Sequence, residues 1–249
     1  MFFWFKKNKV VLECFTTNEV AYEYAKVDRM IKFFPDWWKK TKVSCEHDNT
    51  NYPTIKKCVG ILEFYKKSIT IPLWAKLKLS FNRDGFGWES SGNVEVASHP
   101  REQFSYFAQS DGYNLKIVSP WLFRTKKLKF FSWSNPIYNN RNHINLMTFL
   151  PGVVEFKYNH VTSINYFVTA SEFNEEKIIY MEPFTPLATI IPMFEEEIII
   201  KNIMVDEKEI SKINYHKFFM FNRVDNLNLY SEKKKIINQV EARCPFNTK

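Results

Sequence analysis

The sequence predicts a mainly β protein, an antiparallel β-sandwich or barrel with a short N-terminal helix and helices at its C-terminal end. Three observations carry that expectation. Strand-like runs recur about every ten residues, separated by Pro, Asn, Asp or Glu clusters, which is the spacing of sandwiches and barrels rather than of alternating βαβ units. In SITIPLWAKLKLSF, residues Ile69, Ile71, Leu73, Ala75, Leu77, Leu79 and Phe81 fall on one face at period two. Aromatic residues make up 17% of the chain, with 24 Phe, 12 Tyr and 7 Trp against only 6 Gly, and flat rings pack well on pleated surfaces. At 249 residues and 45% hydrophobic, the chain suits a single domain over 1–249. Its β core is expected at about 54–205, with a helical extension at about 206–249.

Taken in order, KVVLECFT (residues 9–16) alternates loosely and reads as a strand. Thr17 or Asn18 then caps a short helix over 19–26. In FFPDWWKK (33–40), Pro35 breaks any helix. The adjacent Trp37 and Trp38, read as extended, point to opposite faces, so one is exposed or covered by another segment. The polar stretch SCEHDNTNYP (44–53) reads as a loop. Along 68–81 the alternation marks a half-buried strand or two collinear strands, with Trp74 on the opposite face and Pro72 at an edge or break. NRDGFG (82–87) is turn chemistry, and WESSGNVEVAS after it completes a hairpin. Further strands are expected in NLKIVSPWLFRT, KLKFFSWS, GVVEFKY, TSINYFVTA, EKIIYM, PLATIIPM and EEEIIIKNIMV. DEKEISKINYHKFF and SEKKKIINQVEARC have helical spacing, with Ser231 as N-cap and Ile236, Ile237 and Val240 on one face.

Charge and cysteine usage bound the environment. A net charge of +8 permits salt-dependent attraction to an acidic partner without demanding one. Cys14, Cys45, Cys58 and Cys244 lack C-x-x-C spacing and read as free thiols of a reducing compartment. The start, MFFWFKKNKVV, has its apolar run before its lysines and too few apolar residues for a signal peptide. No run approaches the length that spans a bilayer. The expectation is a cytoplasmic or virion-associated protein that is not secreted by a signal peptide and has no membrane partner.

Chemistry-bearing patterns are sparse. Five histidines form no H-x-D, H-x-H or H-E-x-x-H pattern. A jelly roll with non-haem iron needs two His and a carboxylate on neighbouring strands, and His143, His160 and Glu155 are the residues that could converge on iron or another divalent metal. No G-x-S-x-G elbow is present, and six glycines leave no phosphate-cradling loop, which excludes P-loop and dinucleotide-binding folds. RTKKLKFFSW (124–133) interleaves cations with rings in the manner of a single-stranded nucleic-acid platform. Read as a strand, it shows Lys127, Lys129, Phe131 and Trp133 on one face and sends Leu128 and Phe130 inward. The acidic triplet Glu195–Glu197 ahead of Ile198–Ile200 reads as a solvated turn that guards an apolar strand.

From residue 149 on, LPGVVEFKYN…INYFV…EKIIYMEPFTPLATIIP resembles the later part of the dUTPase and dCTP-deaminase fold. Gly152, Val153, Val154 and Tyr158 match its glycine-led hairpin, and PLATII matches its buried strand in rhythm. Glu155, Lys157, Asn159 and Thr189 depart from the family's aspartates, closing glycine and glutamine. The resemblance implies a dUTPase-like or jelly-roll topology, with Glu155 and Tyr158 as its catalytic candidates. The segments FFPDWWKK, TIKKCVGILEFYKKSITIPLWAKLKL, LKIVSPWLFRT and FTPLATIIP are similar to a family of proteins from tailed bacteriophages of marine bacteria, which implies a phage origin and no particular activity.

The leading functional expectation is a non-enzymatic binding or structural protein that holds a protein or peptide partner through an aromatic and basic surface. Trp37, Trp38, Trp74 and Trp133 are its candidate contacts, together with Lys127, Lys129 and Phe131, because aromatics concentrate at interface hot spots. No cofactor is expected on that reading, and a homo-oligomer is compatible with it. The alternatives are an iron-dependent oxygenase-like or degenerate dUTPase-like enzyme, and a single-stranded nucleic-acid binder.

Overall fold

The computed structural model describes residues 8–100, 112–136, 138–139, 146–169 and 175–214. The chain opens with β1 (Lys9–Thr16), α1 (Glu19–Tyr24), β2 (Asp28–Arg29), a 3₁₀ turn (Met30–Phe33), α2 (Asp36–Lys40), β3 (Ser44–His47) and β4 (Thr50–Pro53). A second 3₁₀ turn (Ile55–Lys57) leads into α3 (Val59–Lys67), β5 (Ile69–Pro72), β6 (Leu77–Phe81), β7 (Phe86–Ser90) and β8 (Glu95–Ser98). Then come β9 (Gly112–Val118), β10 (Leu122–Arg124), β11 (Phe130–Ser134), β12 (Thr148–Phe149), β13 (Gly152–Glu155) and β14 (Ile164–Thr169). The described chain closes with β15 (Lys177–Met181), β16 (Pro186–Pro192), β17 (Glu197–Met204) and α4 (Glu207–Asn214).

The protein is mainly β, as its alternation predicts. The strands form sheets ordered β10-β1-β17, β13-β11-β16-β5-β2, β12-β14-β9-β8 and β15-β6-β7, plus the hairpin β3-β4. These are open sheets stacked about a shared core in the manner of a sandwich, with no barrel closure among the described residues. Leu12 and Cys14 of β1, Ile69 and Ile71 of β5, Leu115 and Ile117 of β9, Phe131 of β11 and Ile190 of β16 all enter that core. Among the described residues, pairing is antiparallel with one exception: β1 runs parallel to β17 from Lys9↔Glu197 to Thr16↔Met204. A smaller apolar cluster lies on the other side of β1, where Phe15, Leu122 and Val205 are covered by Ile210 and Ile213 of α4. Leu12 and Cys14 thus face one core while Phe15, of the opposite parity, enters the other.

The period-two run at 69–81 keeps its face through a change of sheet. All seven alternating residues, from Ile69 to Phe81, are buried. The chain nevertheless leaves the five-stranded sheet after Pro72 and enters the three-stranded one at Leu77, because Pro72 has no N–H to continue a ladder. Backbone bonds between Leu73 and the turn at Phe184 and Thr185 (2.8 and 2.9 Å) stabilise that corner. The expected hairpin forms as β6–β7, with the Asn82 side chain accepting from the backbone N–H of Asp84 and Gly85.

Three elements differ from the expectation. The segment at 44–53 is a hairpin, because Asp48 and Asn49 both take positive φ (49° and 58°), the geometry of a type I′ turn. Every residue of β3 and β4 is exposed, so no apolar alternation announced them. Asp36–Lys40 is a helix that begins at Pro35, since proline is tolerated at a helix start. α3 covers residues where no element was assigned. At the N-terminus the agreement is close: the Asn18 side chain accepts from Ala21 N at 2.9 Å and caps α1. The second C-terminal helix, with Ser231, Ile236, Ile237 and Val240, lies outside the described residues.

Candidate functional site

The candidate aromatics divide by burial. Trp38, Trp74, Trp133 and Phe131 are core residues, which corrects the expectation that they form an exposed surface. Trp74 sits at the sheet-changing corner, with its indole N–H on the Asn93 carbonyl (3.4 Å). Trp133 stacks parallel to Phe149. Trp37 is half-buried and donates its indole N–H to the Tyr138 carbonyl at 2.8 Å.

β11 is inverted relative to its expected orientation. Phe131 is fully buried, whereas Phe130 is 47% and Leu128 40% exposed. With Phe130 and Phe131 adjacent, either parity gives an aromatic face; the deciding signal is Ser132 and Ser134, which share the parity of Phe130 and mark it as outward. Lys127 is exposed, while Lys129 is half-buried, ion-paired with Glu196 and placed over the Phe194 ring. The platform expected from Lys127, Lys129, Phe131 and Trp133 is therefore absent: both rings point inward and one cation is already neutralised.

Glu155 and Tyr158 are buried and act on one turn. The Glu155 carboxylate accepts the backbone N–H groups of Lys157 (2.8 Å) and Tyr158 (3.0 Å) through one oxygen, fixing the reversal after β13. Its other oxygen is buried without a hydrogen-bond partner. His160 is spent structurally, its Nδ1–H on the Phe123 carbonyl at 2.8 Å where the chain after β13 runs beside β10. His143 lies outside the described residues. Among the described residues, no three His, Cys, Asp or Glu side chains gather in a metal-holding arrangement. Glu155 and Tyr158 thus meet on one turn through a backbone hydrogen bond that fixes the chain reversal.

Two surfaces remain, and each holds part of the expected set: Lys127 borders the first, and Trp37 and Trp38 belong to the second. On the outer face of the five-stranded sheet, the register sets Ser132 against Val153 and Ile191, with Met193 N bonded to the Phe130 carbonyl beside them. Phe130, Val153 (62% exposed) and Met193 (58% exposed) form an apolar patch there, next to the exposed Lys126 and Lys127. β13 is the edge strand and pairs only with β11 among the described residues. Toward the other edge, the outward-facing cross-strand pair Thr70 and Thr189 is fully buried, and α3 contacts β2 and β16 above it.

The second surface is the module between β2 and β5. Phe34, Trp37, Trp38, Phe64, Tyr65 and Tyr138 form a ring cluster with centroid separations between 4.4 and 6.5 Å. Only Trp38 and Tyr65 are fully enclosed. Tyr65 donates to Asn139 Oδ1 at 3.1 Å, and burial pushes its phenol above the usual tyrosine range. Lys56 Nζ caps α2 through the carbonyls of Lys39 (3.3 Å) and Thr41 (3.0 Å).

Comparison of the chain with protein-family models, curated proteins and solved structures returned no match. No described helix is long and apolar enough to cross a membrane.

Proposed function

We propose that this is a non-enzymatic binding or structural protein that engages an extended segment of a protein partner along the β13 edge and the apolar outer face beside it. The observation that carries the reading is the coincidence of an edge strand, unpaired on one side among the described residues, with exposed Phe130, Val153 and Met193 on the adjoining face. An added strand gains main-chain hydrogen bonds from the edge, and its alternate side chains meet the apolar residues. Lys126 and Lys127 supply a basic rim that favours a partner with carboxylates at its margin. The resemblance to tailed-phage proteins supports a phage origin, with work in the host cytoplasm or the virion.

The test is site-specific photo-crosslinking in cells from position 130 or 153, with position 24 as an exposed control on α1. The reading expects one adduct from 130 and 153 that is absent from 24, maps to a single extended segment, and is displaced by a synthetic peptide of that segment. The same adducts from all three positions, or none from 130 and 153, would overturn it. Phe130→Ser with Val153→Ser is expected to abolish the adduct formed from position 193.

A further inference from the structure

The lysine-rimmed ring cluster between β2 and β5 is a separate surface whose chemistry points to a different partner. Residues 30–68 hold eight lysines, no arginine and four carboxylates, which puts half of the net charge in under a sixth of the chain. The fold concentrates these cations further. Thr54 bonds the carbonyls of Lys42 and Val43, and Lys56 Nζ reaches the carbonyls of Lys39 and Thr41, so Lys39, Lys40, Lys42, Lys56 and Lys57 gather at the C-terminal end of α2. Of the carboxylates, Asp36 pairs with Lys39 (3.2 Å), Glu63 with Lys66 (3.1 Å), and Asp48 with His47 (2.9 Å). Lys40, Lys42 and Lys57 are exposed and make no ion pair with a described residue. Beside them stand the part-buried rings of Phe34, Trp37, Phe64 and Tyr138.

We infer that this module binds single-stranded nucleic acid, with Lys40, Lys42 and Lys57 on successive phosphates and the part-buried rings stacking bases. Two features favour a polynucleotide over an acidic peptide. The cations are all lysines, point charges that suit a phosphate backbone passing by, whereas discrete carboxylates are held best by the bidentate fork of arginine. The rings offer π-faces that stack on any base, so every nucleotide of a strand can use them, whereas the carboxylates of an acidic peptide carry no ring to stack there. The Trp37 indole N–H is already committed to Tyr138, so its contribution is stacking, which makes the binding tolerant of sequence.

The experiment is fluorescence anisotropy with a labelled oligodeoxythymidine of about 20 nucleotides, long enough to exceed a typical single-strand site. For three phosphate contacts, affinity should fall with a log–log salt slope of about −2, roughly a twentyfold loss from 50 to 200 mM salt. Lys40→Gln/Lys42→Gln/Lys57→Gln should bind at least about tenfold more weakly at low salt and lose most of that slope. Lys26→Gln/Lys201→Gln/Lys208→Gln removes the same charge at exposed positions elsewhere and should keep most of the affinity. An abasic oligomer of equal length should bind at least about tenfold more weakly than the thymidine strand, because the stacking contribution is gone. No binding by the wild type at low salt, equal losses in the two triple variants, or an abasic oligomer that binds as well would each overturn the inference. Displacement of the strand by polyglutamate at matched charge would assign the surface to acidic proteins instead.

Discussion

Trp37 and Tyr138 lie 101 residues apart in sequence, and the indole N–H of the first donates to the carbonyl of the second at 2.8 Å. That bond ties the short helix α2 to the chain beyond β11 and closes the ring cluster over Tyr65. Trp38, its sequence neighbour, stacks on Phe34 with 5.1 Å between centroids and is buried. The two tryptophans therefore differ in what their loss does. Trp38→Ala should destabilise by about 3–5 kcal/mol through lost burial and a residual cavity. Trp37→Phe should cost about 1 kcal/mol, the net worth of one hydrogen bond. Urea unfolding of both variants checks the ordering, and equal losses would mean that the cluster is not organised around Trp38.

Two tyrosines should resist alkali. Burial holds the phenols of Tyr65 and Tyr166 above the ordinary value of 10.0, and Tyr166 is completely enclosed, with its hydroxyl on the Leu187 carbonyl. A folded-state value above the unfolded one means that stability is whole below pH 10 and declines as pH rises past it. In an absorbance titration of tyrosinate, both groups are expected to stay silent until the protein unfolds, and Tyr65→Phe/Tyr166→Phe should remove one cooperative step. A smooth titration of all tyrosines near pH 10 would contradict the burial.

The Lys129–Glu196 pair gives the acid side its signature. The hydrogen bond from Lys129 holds the Glu196 carboxyl below its ordinary 4.5, with the charges of Lys129 and Lys127 acting the same way. A depressed folded value means that the contribution is present above pH 4.5 and lost as pH falls below it. Glu196→Gln should lower stability at neutral pH and flatten the fall between pH 4.5 and more acid conditions. Thermal melts across that range test it, and parallel curves for the two proteins would count against the pair.

Much of this architecture is legible because its strands obey one rule, alternation over a buried face. Ile69 to Phe81 keep that rule even across a change of sheet, and β13 to β17 fall where their apolar runs place them. The rule fails where both faces have the same character. β3 and β4 are polar throughout, so nothing in their pattern separates a strand from a loop. At Phe130 and Phe131 both parities carry an aromatic, and the choice went to the face completed by Trp133, leaving the serines outside. The parallel pairing of β1 with β17 was beyond reach for another reason: the partners stand nearly 190 residues apart, and no local pattern encodes which distant edge a strand will join. The candidate surfaces share this difficulty, since exposure of a ring depends on what tertiary packing leaves uncovered.

A last expectation concerns Phe184, which holds φ at +68° in a turn closed by the bond from Thr185 N to the Glu182 carbonyl (3.2 Å). Pro183 presets the position before it, so the turn is type II, and Phe184 occupies the site that favours glycine. The left-handed conformation costs a bulky residue roughly 1–2 kcal/mol. The protein tolerates it because Phe184 N donates to the Leu73 carbonyl and Leu73 N to the Thr185 carbonyl, so the sheet-changing corner fixes the turn from both sides. The ring gains little in return, being half exposed. Phe184→Gly relieves the strain and loses roughly 0.5–1 kcal/mol to the greater freedom of the unfolded chain. The balance is a net gain of about 0.5 kcal/mol, and Phe184→Val, with a branched side chain at the same φ, should lose stability. Urea midpoints of the three proteins in the order Gly, Phe, Val would support the account; a glycine variant less stable than the wild type would show that the Phe184 ring contributes packing its exposure does not reveal.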